Sequence, residues 1–200
     1  MQTFLLNGII PVNSYVFSTE NNTYIVDPGS DKEQLLEIIK NNNIDGVLLT
    51  HGHADHIGLI GLFKCPIYIH EEDYEMIIND SINCFKLLGL KHEYDVDKLN
   101  IIKIKDEDII DGIKVIHTPG HTKGSVSFLY KNKLFSGDTI FKSSIGRTDL
   151  PTGDMKKMKE SILKLMELDD HINIYPGHDN KTTIKDEKKY NPYYLQWKKK

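Results

Sequence analysis

The composition of this 200-residue chain is typical of a globular protein that is long enough to bury a substantial core: 39% of the residues are hydrophobic and 27% are charged. A net charge of -4 excludes a general basis for binding nucleic acid or an anionic membrane, and no apolar run reaches the ~18 residues of a membrane span. The N-terminus lacks the basic start of a signal peptide, and Cys65 and Cys84 have no metal or redox spacing. We therefore expect a cytoplasmic protein with reduced thiols and no nucleic-acid or membrane partner.

The first half of the chain has the pattern of strands, a helix and a strand that leads into a histidine-rich loop. Short strands are predicted at residues 4–6, 14–18 and 23–26. Residues 30–33 have the sequence of a capping box, which predicts a helix that runs to about Lys40. Strands are predicted at residues 47–49 and 67–69, and 71–88 have a helical pattern with a break near Ser81.

The second half repeats this outline, with strands predicted at residues 101–104, 113–116, 125–130 and 134–135. Apolar residues at helical spacing follow Asp154, which predicts a capped helix, and 172–175 form a last buried strand before a polar helix and a tyrosine-rich tail. This order predicts an α/β fold and favours two sheets packed face to face over one open sheet. No linker divides the chain, so we predict a single domain over residues 1–200.

The densest group of metal-competent side chains lies at residues 50–57, whose sequence is THGHADHI. It contains His51, His53, Asp55 and His56, and imidazole and carboxylate are good ligands for zinc, iron or manganese. Such groups beside an apolar strand are costly to bury unless they are satisfied. The segment therefore predicts a metal site.

Three later turns, each directly after a strand, contribute His121, Asp138 and His178. Turns of this kind gather at one edge of a sheet, where binding residues are common. Seven ligands exceed the four or so that one zinc ion takes, so we predict two divalent ions, with zinc first and iron or manganese as alternatives. The predicted ligands divide between the two ions, with Asp138 as a bridge: His51, His53 and His121 for one, and Asp55, His56 and His178 for the other. We expect Asp55 and Asp138 to be catalytic residues, together with a metal-bridging hydroxide that attacks a polarised carbonyl.

These residues and five further stretches resemble the metallo-β-lactamase superfamily, and within it the small glyoxalase II-like thioester hydrolases. The stretches are VDPG from Val26, TPGHT from Thr118, FSGDTIF from Phe135, GRTD from Gly146 and YPGH from Tyr175. The resemblance covers nearly the whole chain. It implies a four-layer αββα sandwich and hydrolysis of an acylated thiol, for which S-lactoylglutathione (an S-2-hydroxyacylglutathione) is the family's best-known substrate.

Two departures from related enzymes narrow this expectation. Full-length glyoxalase II proteins carry a helical C-terminal region that holds glutathione, but only residues 179–200 follow His178 here. We therefore expect no separate C-terminal substrate domain. The best-studied β-lactamases have Arg where His56 stands and Cys where Asp138 stands, so the sequence argues against that activity.

Asp27 and His117 are candidates for orienting the ligands. Asp27 lies before Pro-Gly at the end of a strand and is predicted to hold a ligand histidine, with formation of the turn as its alternative role. His117 lies four residues before His121 and is a weaker candidate for the same work. Neither residue is expected to bind the metal itself.

Three residues are candidates for contact with the substrate. Arg147 is predicted to bind a substrate carboxylate, because its guanidinium can donate two parallel hydrogen bonds; the alternative is an ion pair with Asp149 or Asp154. Phe141 and Tyr175 are candidates for the pocket wall, with core packing as their alternative role. The expected substrate is a small-molecule thioester, and the acyl group, the thiol and the oligomeric state stay open.

The main alternative function is that of a persulfide dioxygenase, a family that resembles this chain at GRTD and uses one iron at the positions of His51, His121 and Asp138. A lactonase is a further alternative. A metal-binding module without catalysis is the alternative from another class of protein.

Overall fold

Two six-stranded mixed sheets form the framework of the chain, one in each of two units. The computed structural model describes residues 1–198. The first unit is Met1–Ile104 and the second begins at Lys105. No helix among the described residues is both long and apolar enough to cross a membrane.

The sheet of the first unit brings the ends of three neighbouring strands to one edge. In sheet order it consists of β1 (Gln2–Leu6), β2 (Val12–Ser18), β3 (Thr23–Val26), β4 (Gly46–Leu48), β5 (Ile67–His70) and β6 (Ile101–Ile104). Strands β1 to β3 pair antiparallel, whereas β3 to β6 pair parallel. Because β3, β4 and β5 run in the same direction, the segments that follow them all start at the same edge. The predicted strands of this unit are confirmed, with small shifts at their ends.

Helix α1 (Lys32–Asn41) places Leu35 and Ile38 in the apolar core of the first unit. Its N-cap is Asp31, whose carboxylate accepts the backbone N–H of Gln34 at 3.1 Å. The predicted capping box, with Ser30 as the N-cap, is therefore wrong, because the N-cap is one residue later. The hydroxyl of Ser30 instead accepts the backbone N–H of Ile9 at 2.8 Å, a contact distant in sequence that no local pattern shows.

The segment after β5 is not the α-helix that its pattern predicts. It contains the short 3-10 helices Glu71–Ile77, Lys86–Leu88 and Val96–Lys98. Cys84 has a φ of 73°, a left-handed conformation that interrupts a helix, and the side chain of Asn83 donates to the backbone carbonyl of Met76 at 2.7 Å. The hydrogen bond from the Asn83 side chain here replaces the backbone hydrogen bonds that an α-helix would form. The loop between β4 and β5 contains α2 (Ala54–Ile57) and the 3-10 helix Ile60–Leu62.

The sheet of the second unit has a similar arrangement at one edge. In sheet order it consists of β14 (Thr182–Thr183), β13 (Asn173–Pro176), β10 (Lys133–Gly137), β9 (Val126–Tyr130), β8 (Ile113–His117) and β7 (Ile109–Ile110). A separate hairpin pairs β11 (Ile140–Phe141) with β12 (Ser144–Ile145). Strand β9 is antiparallel to both β8 and β10, and β10 is parallel to β13. Strands β8, β10 and β13 therefore run in the same direction, and their carboxyl ends lie at one edge.

Three helices complete the second unit: α3 (Met155–Leu165), α4 (Ile184–Tyr190) and α5 (Pro192–Trp197). Helix α3 buries Met158 and Ile162 in the apolar core, as its spacing predicts, and the predicted N-cap Asp154 is confirmed. The tyrosine-rich tail is itself helical, since the side chain of Asn191 caps α5 and Trp197 packs against the same core.

Replacing the cap of α3, Asp154→Ala, should lower the free energy of unfolding by about 1 kcal/mol, because one carboxylate oxygen accepts the backbone N–H groups of Lys156 and Lys157. Urea denaturation measures the loss. Asp154→Asn keeps an acceptor and should stay within roughly 0.5 kcal/mol of the wild type. Equal losses in the two variants would contradict the capping role.

Candidate metal centre

The loop after β4 buries four predicted ligands at the carboxyl edge of the first sheet. His51, His53, Asp55 and His56 are between 0% and 7% exposed. The ring of His51 lies 4.8 Å from that of His53 and 4.1 Å from that of His56, measured between centroids. Buried imidazoles this close together repel one another when protonated, so neutral rings that share a cation suit the arrangement better than charged rings.

The spacing of Asp55 and His56 suits two ligands of one ion. Oδ2 of Asp55 lies 3.5 Å from Nε2 of His56. Two ligands at zinc–ligand distances of about 2.0–2.1 Å in a tetrahedral site lie roughly 3.3 Å apart, whereas a charge-assisted hydrogen bond between N and O spans about 2.7–2.9 Å. The observed separation is closer to the first value.

Asp27, directly after β3, holds this loop in place through hydrogen bonds. Its Oδ1 accepts the backbone N–H of Thr50 at 2.8 Å, and its Oδ2 accepts the Thr50 hydroxyl at 2.6 Å. The same Oδ2 lies 3.0 Å from Nδ1 of His56. Asp27 is itself buried, with a φ of 49°. It therefore contacts one of the predicted ligands, and its role in metal binding stays a prediction.

Thr50 supports the ring of His51, a role that was not predicted from the sequence motif. Its hydroxyl donates to Asp27 and lies 3.1 Å from Nδ1 of His51, so it acts as the acceptor for that ring. Nδ1 of His56 also faces an acceptor, the carboxylate of Asp27. In His51, Nδ1 is then the donor, and Nε2 carries the lone pair that a metal requires. A hydroxyl residue directly before the first histidine was the signal available in the sequence.

In the second unit, His121, Asp138 and His178 follow β8, β10 and β13, at the edge where those strands end. Nε2 of His121 lies 3.5 Å from Oδ2 of Asp138, and Nε2 of His178 lies 3.3 Å from the same oxygen. One carboxylate oxygen between two imidazole nitrogens, at ligand-to-ligand separations, suits a carboxylate shared by two ions.

The backbone of the GRTD stretch orients His121. Its Nδ1 donates to the carbonyl oxygen of Arg147 at 2.7 Å, which again leaves the lone pair on Nε2. Gly146 allows this close approach: a Cβ there would overlap the carbonyl oxygen of Asp138 and lie 3.3 Å from Nδ1 of His121. The sequence showed the GRTD match but not that its glycine accommodates two predicted ligands.

The side chain of Arg147 forms the ion pair that was its alternative role. Its Nε and Nη2 each donate to Asp149 at 2.8 Å, and both side chains are exposed. The hydrogen bond from the guanidinium lowers the pKa of Asp149 to about 2, so the pair persists across the neutral range. Substrate binding by Arg147 stays a prediction, and it would require this pair to be shared or opened. Asp154, the other ion-pair partner predicted for Arg147, caps α3.

The remaining three candidates each contact a different neighbour. The ring of Phe141 meets that of His178 edge-on, with 6.0 Å between centroids. Tyr175 packs on Phe135, at 5.6 Å, and burial raises the pKa of its hydroxyl. Nε2 of His117 donates to the carbonyl oxygen of Lys123 at 3.0 Å. The proposed contacts of Phe141 and Tyr175 with substrate, and of His117 with the ligands, stay predictions.

Comparisons with known proteins define the family. A model described as the metallo-beta-lactamase superfamily matches residues 7–178. The hydroxyacylglutathione hydrolase GloC of Haemophilus influenzae is 34% identical over 209 residues, which cover 92% of this chain and 96% of that protein. Other relatives, at 32–36% identity, are described as probable metallo-hydrolases or uncharacterized proteins.

Two solved structures are similar over nearly the whole chain. The crystal structure of TTHA1623 in a di-iron-bound form has a TM-score of 0.88 and 29% identity, and the similarity covers 96% of this chain and 100% of that one. The BLEG-1 B3 metallo-beta-lactamase has a TM-score of 0.86 and 32% identity, over 96% of this chain and 98% of that one.

This chain therefore belongs to the metallo-β-lactamase superfamily. The α/β class and the metallo-β-lactamase fold are confirmed. Membership, together with the histidine and aspartate clusters of each unit, supports a metal-dependent hydrolase that uses divalent ions.

Replacing Asp27 by Ala should lower the free energy of unfolding of the metal-free protein by roughly 3 kcal/mol, because it leaves the buried backbone N–H and hydroxyl of Thr50 without their acceptor. Metal affinity should fall tenfold to a hundredfold, as for other groups that orient a ligand histidine. Urea denaturation and competition with a chelator measure the two effects. Asp45→Ala is the control. The carboxylate of Asp45 accepts hydrogen bonds from the backbone N–H of Thr23 and the side-chain amide of Asn43 at the other end of β4, so its loss should not change metal affinity.

Gly146→Ala should weaken metal binding by roughly tenfold or more, because the added methyl group must displace Asp138 or its carbonyl. The metal content per chain after dialysis measures this. Gly112→Ala is the control: its φ is 81° and its nearest neighbour would be Tyr130 at 3.8 Å, so it should cost about 1–2 kcal/mol of stability with no loss of metal. Full metal content in Gly146→Ala would show that this glycine does not support the site.

Proposed function

We propose that this protein is a dinuclear metallohydrolase of thioesters, of the glyoxalase II-like type. The observation that carries the proposal is the single oxygen of Asp138 that faces both His121 and His178, an arrangement that suits a bridging ligand. The similarity to a hydroxyacylglutathione hydrolase over 92% of the chain supports the reaction class.

The donor set fits two divalent ions. We propose that His51, His53 and His121 hold one ion, that Asp55, His56 and His178 hold the other, and that Asp138 bridges them. Five neutral imidazoles and two carboxylates suit zinc, which is the proposed metal, and they also suit iron, which a similar solved structure contains. When bound, the ions supply hydroxide at neutral pH and polarise a carbonyl oxygen.

The protein's own residues hold and orient the imidazole rings of the proposed ligands. Asp27 and Thr50 fix the rings of His51 and His56, and the carbonyl of Arg147 fixes that of His121. The leaving thiol has an ordinary pKa of about 8.5 and departs as a thiolate without a dedicated acid. A thioester therefore suits a site in which the buried aspartates serve as ligands and positioning groups.

Hydrolysis of a β-lactam is the second candidate, because one similar structure, at 32% identity, is a B3 metallo-beta-lactamase. His56 and Asp138 differ from the Arg and Cys of the best-studied β-lactamases. This difference favours the thioester.

A substrate panel tests the proposal. It contains S-lactoylglutathione and acyl thioesters of other thiols, their oxygen-ester counterparts, a chromogenic cephalosporin, an acyl-homoserine lactone and glutathione persulfide with measurement of oxygen uptake. The expected result is two metal ions per chain and a kcat/KM for at least one thioester that exceeds every other substrate class. One iron per chain with oxygen consumption, or faster turnover of the lactam or the lactone, would contradict it.

Asp138→Ala should lose bound metal and thioesterase activity together, with a fall in kcat/KM of about a thousandfold, which corresponds to roughly 4 kcal/mol of lost transition-state stabilisation. Metal analysis and steady-state kinetics on the same preparation measure both. Asp169→Ala, which removes an exposed carboxylate that pairs with His171, should keep both. A variant at 138 with full metal and full rate would refute the bridging role.

A further inference from the structure

Asp73 is a buried carboxylate that is not among the predicted ligands. It lies in the 3-10 helix Glu71–Ile77 and has no solvent exposure, whereas Glu71 and Glu75 of the same helix are exposed. The helix follows β5, the parallel neighbour of β4, so it starts at the edge where the histidine loop also starts. A carboxylate is costly to bury unless it is paired or accepts hydrogen bonds. Its placement therefore calls for a specific partner.

That partner is the peptide between two of the proposed ligands. The backbone N–H of Gly52 donates to Oδ2 of Asp73 at 3.2 Å. The approach is close, since a Cβ on Gly52 would overlap the side chain of Met76 on the same 3-10 helix. The packing leaves room for glycine alone.

Asn83, which lies a few residues after this 3-10 helix, holds the peptide on the other side of His53. The backbone N–H of Ala54 donates to the carbonyl oxygen of Asn83 at 2.8 Å. The two N–H groups that flank His53 are thus fixed by Asp73 and Asn83. Asp27, in contrast, holds Thr50 and the ring of His56, so the two aspartates act on different parts of the loop.

We infer that Asp73 is a positioning residue for the metal centre, which directs His51 and His53 through the peptide of Gly52. The inference rests on the proposed role of these histidines as ligands. A charged acceptor holds an N–H about twice as strongly as a neutral one. The order of metal affinity should therefore be wild type, then Asp73→Asn, then Asp73→Ala.

The test uses the full chain loaded with cobalt(II), whose visible absorption bands report the ligand geometry directly. Asp73→Ala should bind cobalt ten to a hundred times more weakly and should show altered band positions or intensities. Asp73→Asn should lie between it and the wild type. Asp45→Ala is the matched control, because it removes a carboxylate that accepts the backbone N–H of Thr23 at the opposite end of β4, and it should keep the wild-type spectrum and affinity.

Unfolding of each metal-free variant separates positioning from simple stability. A structural role alone would lower stability while the folded, loaded variant kept the wild-type spectrum and affinity, and this result for Asp73→Ala would overturn the inference. If that variant does not fold, the same result for Asp73→Asn would overturn it. Because metal binding is measured rather than turnover, a wild type that binds two cobalt ions but hydrolyses no thioester would refute the proposed function alone.

Discussion

The direction of the strands is the constraint on which the rest of this structure depends. In the first sheet β3, β4 and β5 run parallel, and in the second β8, β10 and β13 run in the same direction. Each sheet therefore releases several segments at one edge, and all of the predicted metal ligands lie on such segments. Backbone groups beyond the strand ends have left the ladder of hydrogen bonds, so side chains there can turn toward a ligand without disrupting the sheet.

Burial gives these polar residues a defined geometry. Imidazoles inside a protein need partners: the hydroxyl of the adjacent Thr50 for the ring of His51, and the carbonyl oxygen of Arg147, distant in sequence, for that of His121. Each such contact places the proton on Nδ1 and the lone pair on Nε2. The supporting contacts decide which tautomer each ring adopts, and the tautomer decides whether the ring can ligate.

The side chain of Arg147 takes part in a different kind of interaction. Arg147 and Asp149 form an exposed ion pair, and exposed pairs contribute little to stability. The pair keeps the guanidinium near the stretch whose backbone orients His121. If Arg147 binds a substrate carboxylate, as proposed, that group would have to compete with Asp149 for the same parallel donors.

The candidate ligands followed from the sequence alone, because seven metal-competent residues in turns after apolar strands rarely occur together by chance, and the positions of most strands followed from their apolar runs. Local patterns failed where partners distant in sequence decided the outcome. The capping position moved to Asp31 because Ser30 binds Ile9. Residues 71–88 formed 3-10 turns in which Asp73 accepts the N–H of Gly52 and Asn83 donates to the carbonyl oxygen of Met76. The supporting roles of Thr50, Gly146 and Asp73 do not follow from their positions in the sequence. Only the tertiary structure shows what they support, because hydrogen bonds between distant segments exist only after the strands have aligned them.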